Sequence, residues 1–263
     1  MNVYSDFHWS RCFRVRRILI ALAGFCGCCR VEAAMAPSDY FVDKGVVALS
    51  EAAASGRSDV VTKLLAQGVN VNARGKDGMT LVILALLNQD KRGFECLLQH
   101  GAEPNLQLSD GESSLAKELP FAGNSAISFA ARDKDIWYLD TALKYGGNVN
   151  LVNPYNNQTP IYASIAALLT LQPKRLIAAG ANLNYQDSDG ITPLLCAARA
   201  NRFDLTYVML MAGADPTKKN KWGKSVVDVI AKSMGHTLPE MSQWRERVID
   251  VLRKKGIEVP GGQ

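Results

Sequence analysis

Glycine recurs along this chain with a step of 33 residues, at Gly45, Gly78 and Gly111 and again at Gly190 and Gly223. A second ladder keeps the same step, in Gly68-Val69, Gly101-Ala102, Gly180-Ala181 and Gly213-Ala214. Between them small apolar pairs return: Ala52-Ala53, Ala130-Ala131 and Ala197-Ala198. A fixed period of this length marks stacked supersecondary units. One such unit cannot bury its apolar side alone, so neighbours must share a core. The period therefore predicts a repeat solenoid, a fold that points towards binding rather than chemistry.

The cleanest copy runs Asp189-Gly190-Ile191-Thr192-Pro193-Leu194-Leu195-Cys196-Ala197-Ala198, then through Asp204-Leu205 to Leu210-Met211-Ala212-Gly213-Ala214-Asp215-Pro216. Gly190 permits the positive φ of a tight turn. Thr192 suits a helix N-cap and Pro193 its first turn. Ala197 and Ala198 let helices approach closely, and Gly213 ends a second helix. This copy resembles the ankyrin repeat, with Leu195 in place of the usual histidine, and the resemblance covers roughly residues 43–256. It implies an all-α solenoid of about six helix-turn-helix repeats with β-turn fingers. The units fall at about 43–76, 77–109, 123–156, 157–188, 189–220 and 221–257, within a domain spanning 37–260. Extra residues enter at 110–122, at 152–156 and near 234–242, and such insertions collect in loops, often on the binding side.

The N-terminus carries a different pattern. Arg11, Arg14, Arg16 and Arg17 precede an apolar run, Ile18 to Cys29, and Ala33, Ala34 and Ala36 follow. Basic, apolar and small, in that order, describe a secretory signal peptide over residues 1–36. The run is too short for a comfortable permanent span. Ala34-Met35-Ala36 fits the cleavage rule but is followed by Pro37; Val31-Glu32-Ala33 is the other candidate. The expectation is a periplasmic protein, with lipid attachment at Cys26 or Cys28 and cytoplasmic retention as weaker readings.

Removing residues 1–36 changes the charge. They hold five of the 30 Lys and Arg and two of the 25 Asp and Glu, leaving a net charge of about +2 from a formal +5. That balance does not argue for nucleic acid, which wants a dense basic stripe. Cys96 and Cys196 remain, three repeats apart, too far for a disulfide. His100 sits beside Gly101, where it suits a helix C-terminus. His236 has no second histidine or cysteine near it, so a zinc set is not expected. The chain holds no Gly-x-Ser-x-Gly elbow and no phosphate-cradling loop. The expectation is a protein that is not an enzyme and needs no cofactor.

A protein partner is expected instead. Aromatic and basic side chains at turn tips are the favoured anchors: Trp222 with Lys218, Lys219 and Lys221, Tyr155 in the connection before the fourth unit, and Lys117 and Phe121 in the insertion. Trp137, Tyr138 and Trp244, on second helices, are expected to pack. The runs Gly146-Gly147-Asn148-Val149-Asn150-Leu151-Val152-Asn153-Pro154, Lys218-Lys219-Asn220-Lys221-Trp222-Gly223-Lys224 and Trp244-Arg245-Glu246-Arg247-Val248-Ile249 resemble the ankyrin immunity proteins encoded beside type VI secretion lipase effectors. That resemblance implies a partner that is a secreted effector, held tightly in the periplasm. A periplasmic ankyrin protein that supports a catalase or haem enzyme in oxidative-stress defence, and a host-directed ankyrin effector, are the alternative readings.

Overall fold

In a computed structural model, residues 34–108, 122–232 and 239–260 are described. Among them lie twelve α-helices, which follow one another as six successive pairs. They are α1 (Lys44–Ala54) with α2 (Ser58–Ala66), α3 (Leu81–Leu87) with α4 (Lys91–Gln99), and α5 (Ala126–Ala130) with α6 (Ile136–Lys144). Then come α7 (Pro160–Ala166) with α8 (Leu171–Ala178), α9 (Pro193–Arg199) with α10 (Phe203–Met211), and α11 (Val226–Lys232) with α12 (Pro239–Lys254). The described residues fall into two compact units: 34–102 with Ala122, and 103–108 with 123 onward. The first unit holds α1–α4 and the second α5–α12.

Most of these helices are too short to persist alone in water. Packing holds them. In the first unit all seven residues of α3 are buried, together with Leu49, Ala52, Ala53, Val61, Phe94 and Leu97. In the second, Ile127, Phe129, Tyr138, Ile161, Tyr162, Leu194, Ala197, Ala198, Phe203 and Leu205 form the interior. Each fully buried large side chain contributes about 1.5–3 kcal/mol. Ala197 and Ala198 are 0% exposed, so a larger group there has nowhere to go. Tyr138 is buried in this core, while Trp244 is half-buried with its ring 5.5 Å from that of Tyr207.

Caps set where each helix begins. Thr192 Oγ1 accepts from the Leu195 N–H at 3.2 Å and Thr80 Oγ1 from Ile83 at 3.3 Å. Ser125 does the same for α5, and Asp43 caps α1 by accepting from Gly45 and Val46. Thr159 stands at the same place before α7, yet its buried hydroxyl makes no capping bond; nothing in the structure explains this.

The first glycine ladder is partly accidental. Gly78, Gly123, Gly190 and Gly223 take φ near +70° three residues before their helices. Gly45 does not: it lies inside the first turn of α1. The matching place before α7 is held by Asn157, at φ +54°. The second ladder is regular, with Gly68, Gly101, Gly146, Gly180 and Gly213 ending their helices at φ between 87° and 91°.

Asparagines join successive pairs just after those glycines. In the first unit Asn72 Nδ2 donates to the Gly101 carbonyl at 3.1 Å. In the second, Asn105 and Asn150 donate to the Gly146 and Gly180 carbonyls and accept from the Asn148 and Asn182 N–H groups. Asn184 Oδ1 accepts from Asp215 N–H at 2.8 Å. Each bonded carbonyl belongs to the glycine just past a helix C-cap, so the Asn amide ties that loop to the preceding repeat.

Arg202 ties the opposite ends of two pairs in the second unit. Its guanidinium grips Asp204 with two bonds of 2.8 and 2.9 Å and donates to the Leu169 carbonyl and the Thr170 hydroxyl, each at 2.9 Å. Burial pushes the Asp204 carboxyl up, but the Arg202 hydrogen bonds and charge and the Leu205 N–H outweigh it, so it lies below the ordinary value. A carboxyl with a depressed folded pKa adds stability above the unfolded pKa of about 3.9, lost as pH falls through the folded value. Replacing Arg202 by Ala is therefore expected to cost about 2 kcal/mol near neutral pH. In urea melts the gap between parent and variant should narrow at pH 3; an unchanged gap would show that the pair carries no charge-dependent stability.

Candidate functional site

Among the described residues, the sequence-derived candidates Tyr155, Lys218, Lys219, Lys221 and Trp222 lie on the turns between helix pairs. In the second unit three such turns are bonded in a row. Ser188 Oγ donates to the Asn156 carbonyl, Gln158 Nε2 to Asp187 at 3.1 Å, and Asn157 Nδ2 to the Gln186 carbonyl. Gln186 Nε2 in turn donates to the Lys219 carbonyl at 3.0 Å, and the Lys221 N–H to the Asp189 carbonyl at 3.0 Å. Beneath them the Tyr162 hydroxyl lies 2.8 Å from both the Tyr185 and the Ile191 carbonyl, which share its one proton; burial pushes its phenol up. The turns thus form a surface braced by side chains, which lowers the ordering cost of binding.

Trp222 stands at the tip of the last turn, 57% exposed. Its backbone N–H donates to Asn220 Oδ1 at 3.0 Å, and the Lys224 backbone N–H donates to the same oxygen at 2.9 Å. The turn is closed by Asn220 and does not depend on the indole. Lys221 Nζ lies 4.6 Å from the centre of that ring, within cation–π range.

The lysines are less free than their density suggests. Lys221 is paired with Asp189, and Lys224 Nζ lies 3.7 Å from Asp228. Lys218 is half-buried and acts on Asp215, whose carboxyl is held low chiefly by hydrogen bonds from Thr217. Lys219 is exposed. The tip is therefore an aromatic platform with its charges largely matched, not a cationic patch. Sequence reading missed the Lys221 pairing because Asp189 lies one repeat away; Lys224 and Asp228 stand only four residues apart.

Tyr155 is 39% exposed on the turn before α7. It and Trp222 do not form one cluster, since the Gln186–Ile191 turn stands between theirs in the bonded row. Gly123 lies beneath Tyr155: a Cβ there would meet Asn153 Oδ1 at 2.6 Å and the Tyr155 ring at 2.7 Å. Lys117 and Phe121 of the insertion lie outside the described residues, as does His236. His100 caps α4, its Nδ1 2.8 Å from the Cys96 carbonyl and its Nε2 3.2 Å from Ser58 Oγ.

Burial pushes the Cys196 thiol up to about 11, and the Cys96 thiol is raised by burial and by Asp90; neither supplies thiolate near neutral pH. An open hollow beside α6 and α8 is lined by Asp140, Lys144, Asn148 and Arg175. There Arg175 donates to Asp140 at 2.5 Å, both about half exposed, a pair of little energetic weight. Among the described residues no helix is long and apolar enough to cross a membrane.

The comparisons agree with this architecture. Models for the ankyrin repeat match residues 44–76, and for ankyrin repeats in many copies 174–210. The chain is similar to Protein PhlB of Serratia liquefaciens, 31% identical over 156 residues, covering 59% of this chain and 63% of that protein. It is also similar to the mitochondrial disaggregase of Homo sapiens, 26% identical over 182 residues, covering 69% of this chain and 24% of that one. It thus spans less than two thirds of either relative. Its fold matches the crystal structure of an ankyrin repeat domain from Acinetobacter baumannii AYE with a TM-score of 0.62 at 21% identity, covering 80% of this chain and 98% of that one. Period, caps, helix pairs and turn glycines converge with these matches: the chain contains ankyrin repeats and has the ankyrin-repeat fold, a scaffold for binding other proteins.

Proposed function

We propose that this is an exported, non-enzymatic binding protein that holds and neutralises an antibacterial type VI secretion effector of the lipase class in the periplasm. The observation that carries the reading is the exposed Trp222 on a turn that does not need it for folding. A large aromatic kept in water at a rigid tip is what a binding anchor requires. The basic-apolar-small order of residues 11–36 supports export. The resemblance of residues 146–154, 218–224 and 244–249 to immunity proteins supports the class of partner.

Calorimetric titration with the lipase-class product of a neighbouring gene tests the pairing. A one-to-one complex in the nanomolar range is expected, typical of specific protein pairs. No heat and no co-elution on size exclusion would reject this partner.

A further inference from the structure

The segment ahead of α1 is bonded down at two points. Met35 N–H donates to Asn88 Oδ1 at 2.8 Å, and Asn88 Nδ2 donates back to the Met35 carbonyl at 2.9 Å. The Tyr40 hydroxyl meets Met35 Sδ at 3.4 Å. Pro37–Asp39 forms a 3-10 turn, after which the Tyr40 carbonyl accepts from Lys76 N–H at 2.8 Å and Phe41 is buried. Asn88 is the C-cap of α3, and Lys76 precedes that helix. The strap is thus fixed near both ends of a helix whose every residue is buried. Asn88 reads both backbone groups of Met35, so loss of Met35 would leave a half-buried side-chain amide without those two partners, which is unfavourable.

This decides between the two cleavage sites that the small-residue rule allows. A cut after Ala36 removes Met35; a cut after Ala33 keeps it. Pro37 favours the same choice, because it would follow the first cut directly, with a fixed ring and no N–H. Ala34 is exposed, so a new ammonium there stays in water and needs no partner. We propose that processing occurs between Ala33 and Ala34, and that Ala34–Phe41 is retained as a strap that closes the first unit. This rests on the export reading above.

The test is the intact mass and N-terminal sequence of the full-length chain expressed in a Gram-negative host and recovered from the periplasm. A start at Ala34 is expected. A start at Pro37, lighter by Ala-Met-Ala, would overturn the inference while export stands. An intact Met1 in the cytosol would overturn export, and the inference with it. Hydrogen exchange on the processed protein adds a second readout. In Asn88→Ala the Met35 amide should exchange roughly tenfold faster or more than in the parent; equal rates would contradict the strap.

Discussion

Gly190→Val is expected to lower the stability of the second unit by about 2–4 kcal/mol, moving its thermal midpoint down by roughly 5–15 °C. Two costs act together. Gly190 sits at φ +71°, where a β-branched residue is strongly disfavoured. A Cβ there would also meet the backbone of the neighbouring turn, Asn220 Cα and Lys221 N, both at 3.1 Å. That turn is the one holding Trp222. Gly213→Ala separates the two costs: Gly213 has φ +91° but nothing within 4 Å of an added Cβ, so only the strain remains, about 1 kcal/mol. Melting followed by circular dichroism would show the order parent, Gly213→Ala, Gly190→Val. A Gly190→Val midpoint equal to the parent's would mean that the turn is not built as described.

Trp222→Ala should act in the opposite manner, leaving the fold and removing the contact. The turn is closed by Asn220, and the ring is more than half in water, so stability should change by no more than about 0.5 kcal/mol. Loss of a central aromatic anchor typically costs 2 kcal/mol or more, at least about thirtyfold in affinity. Calorimetry with the effector reads the affinity, and a melt of the same sample reads the fold. Unchanged affinity would reject this surface. Charge reversal is best made at Lys219, because Lys221 and Lys224 hold Asp189 and Asp228 and their reversal would disturb the turns themselves. Lys219→Glu should mainly slow association and change its salt dependence.

The repeat was readable because its signals are local. A threonine or serine cap, a proline at the first helical position and a glycine at the end of a second helix each act within a few residues. Where the same job can be done by other chemistry, the pattern misled or fell silent. Gly45 keeps the 33-residue step yet sits in a helix, and Asn157 takes the positive φ without being glycine. The bridging role of Asn105, Asn150 and Asn184 was hidden because their partners lie some thirty to forty residues away. For the site, exposure of Trp222 followed from its place at a turn tip, but the pairing of Lys221 with Asp189 did not. Charge density along a sequence cannot show which charges meet across two repeats. The strap bond between Met35 and Asn88, 53 residues apart, is of the same kind.

Inhibition measures the proposed role most directly. The lipase activity of the cognate effector, followed while the processed chain is titrated in, should fall linearly and vanish at one equivalent, and Trp222→Ala should require a large excess for the same effect. Full activity in the presence of excess parent protein would contradict the account.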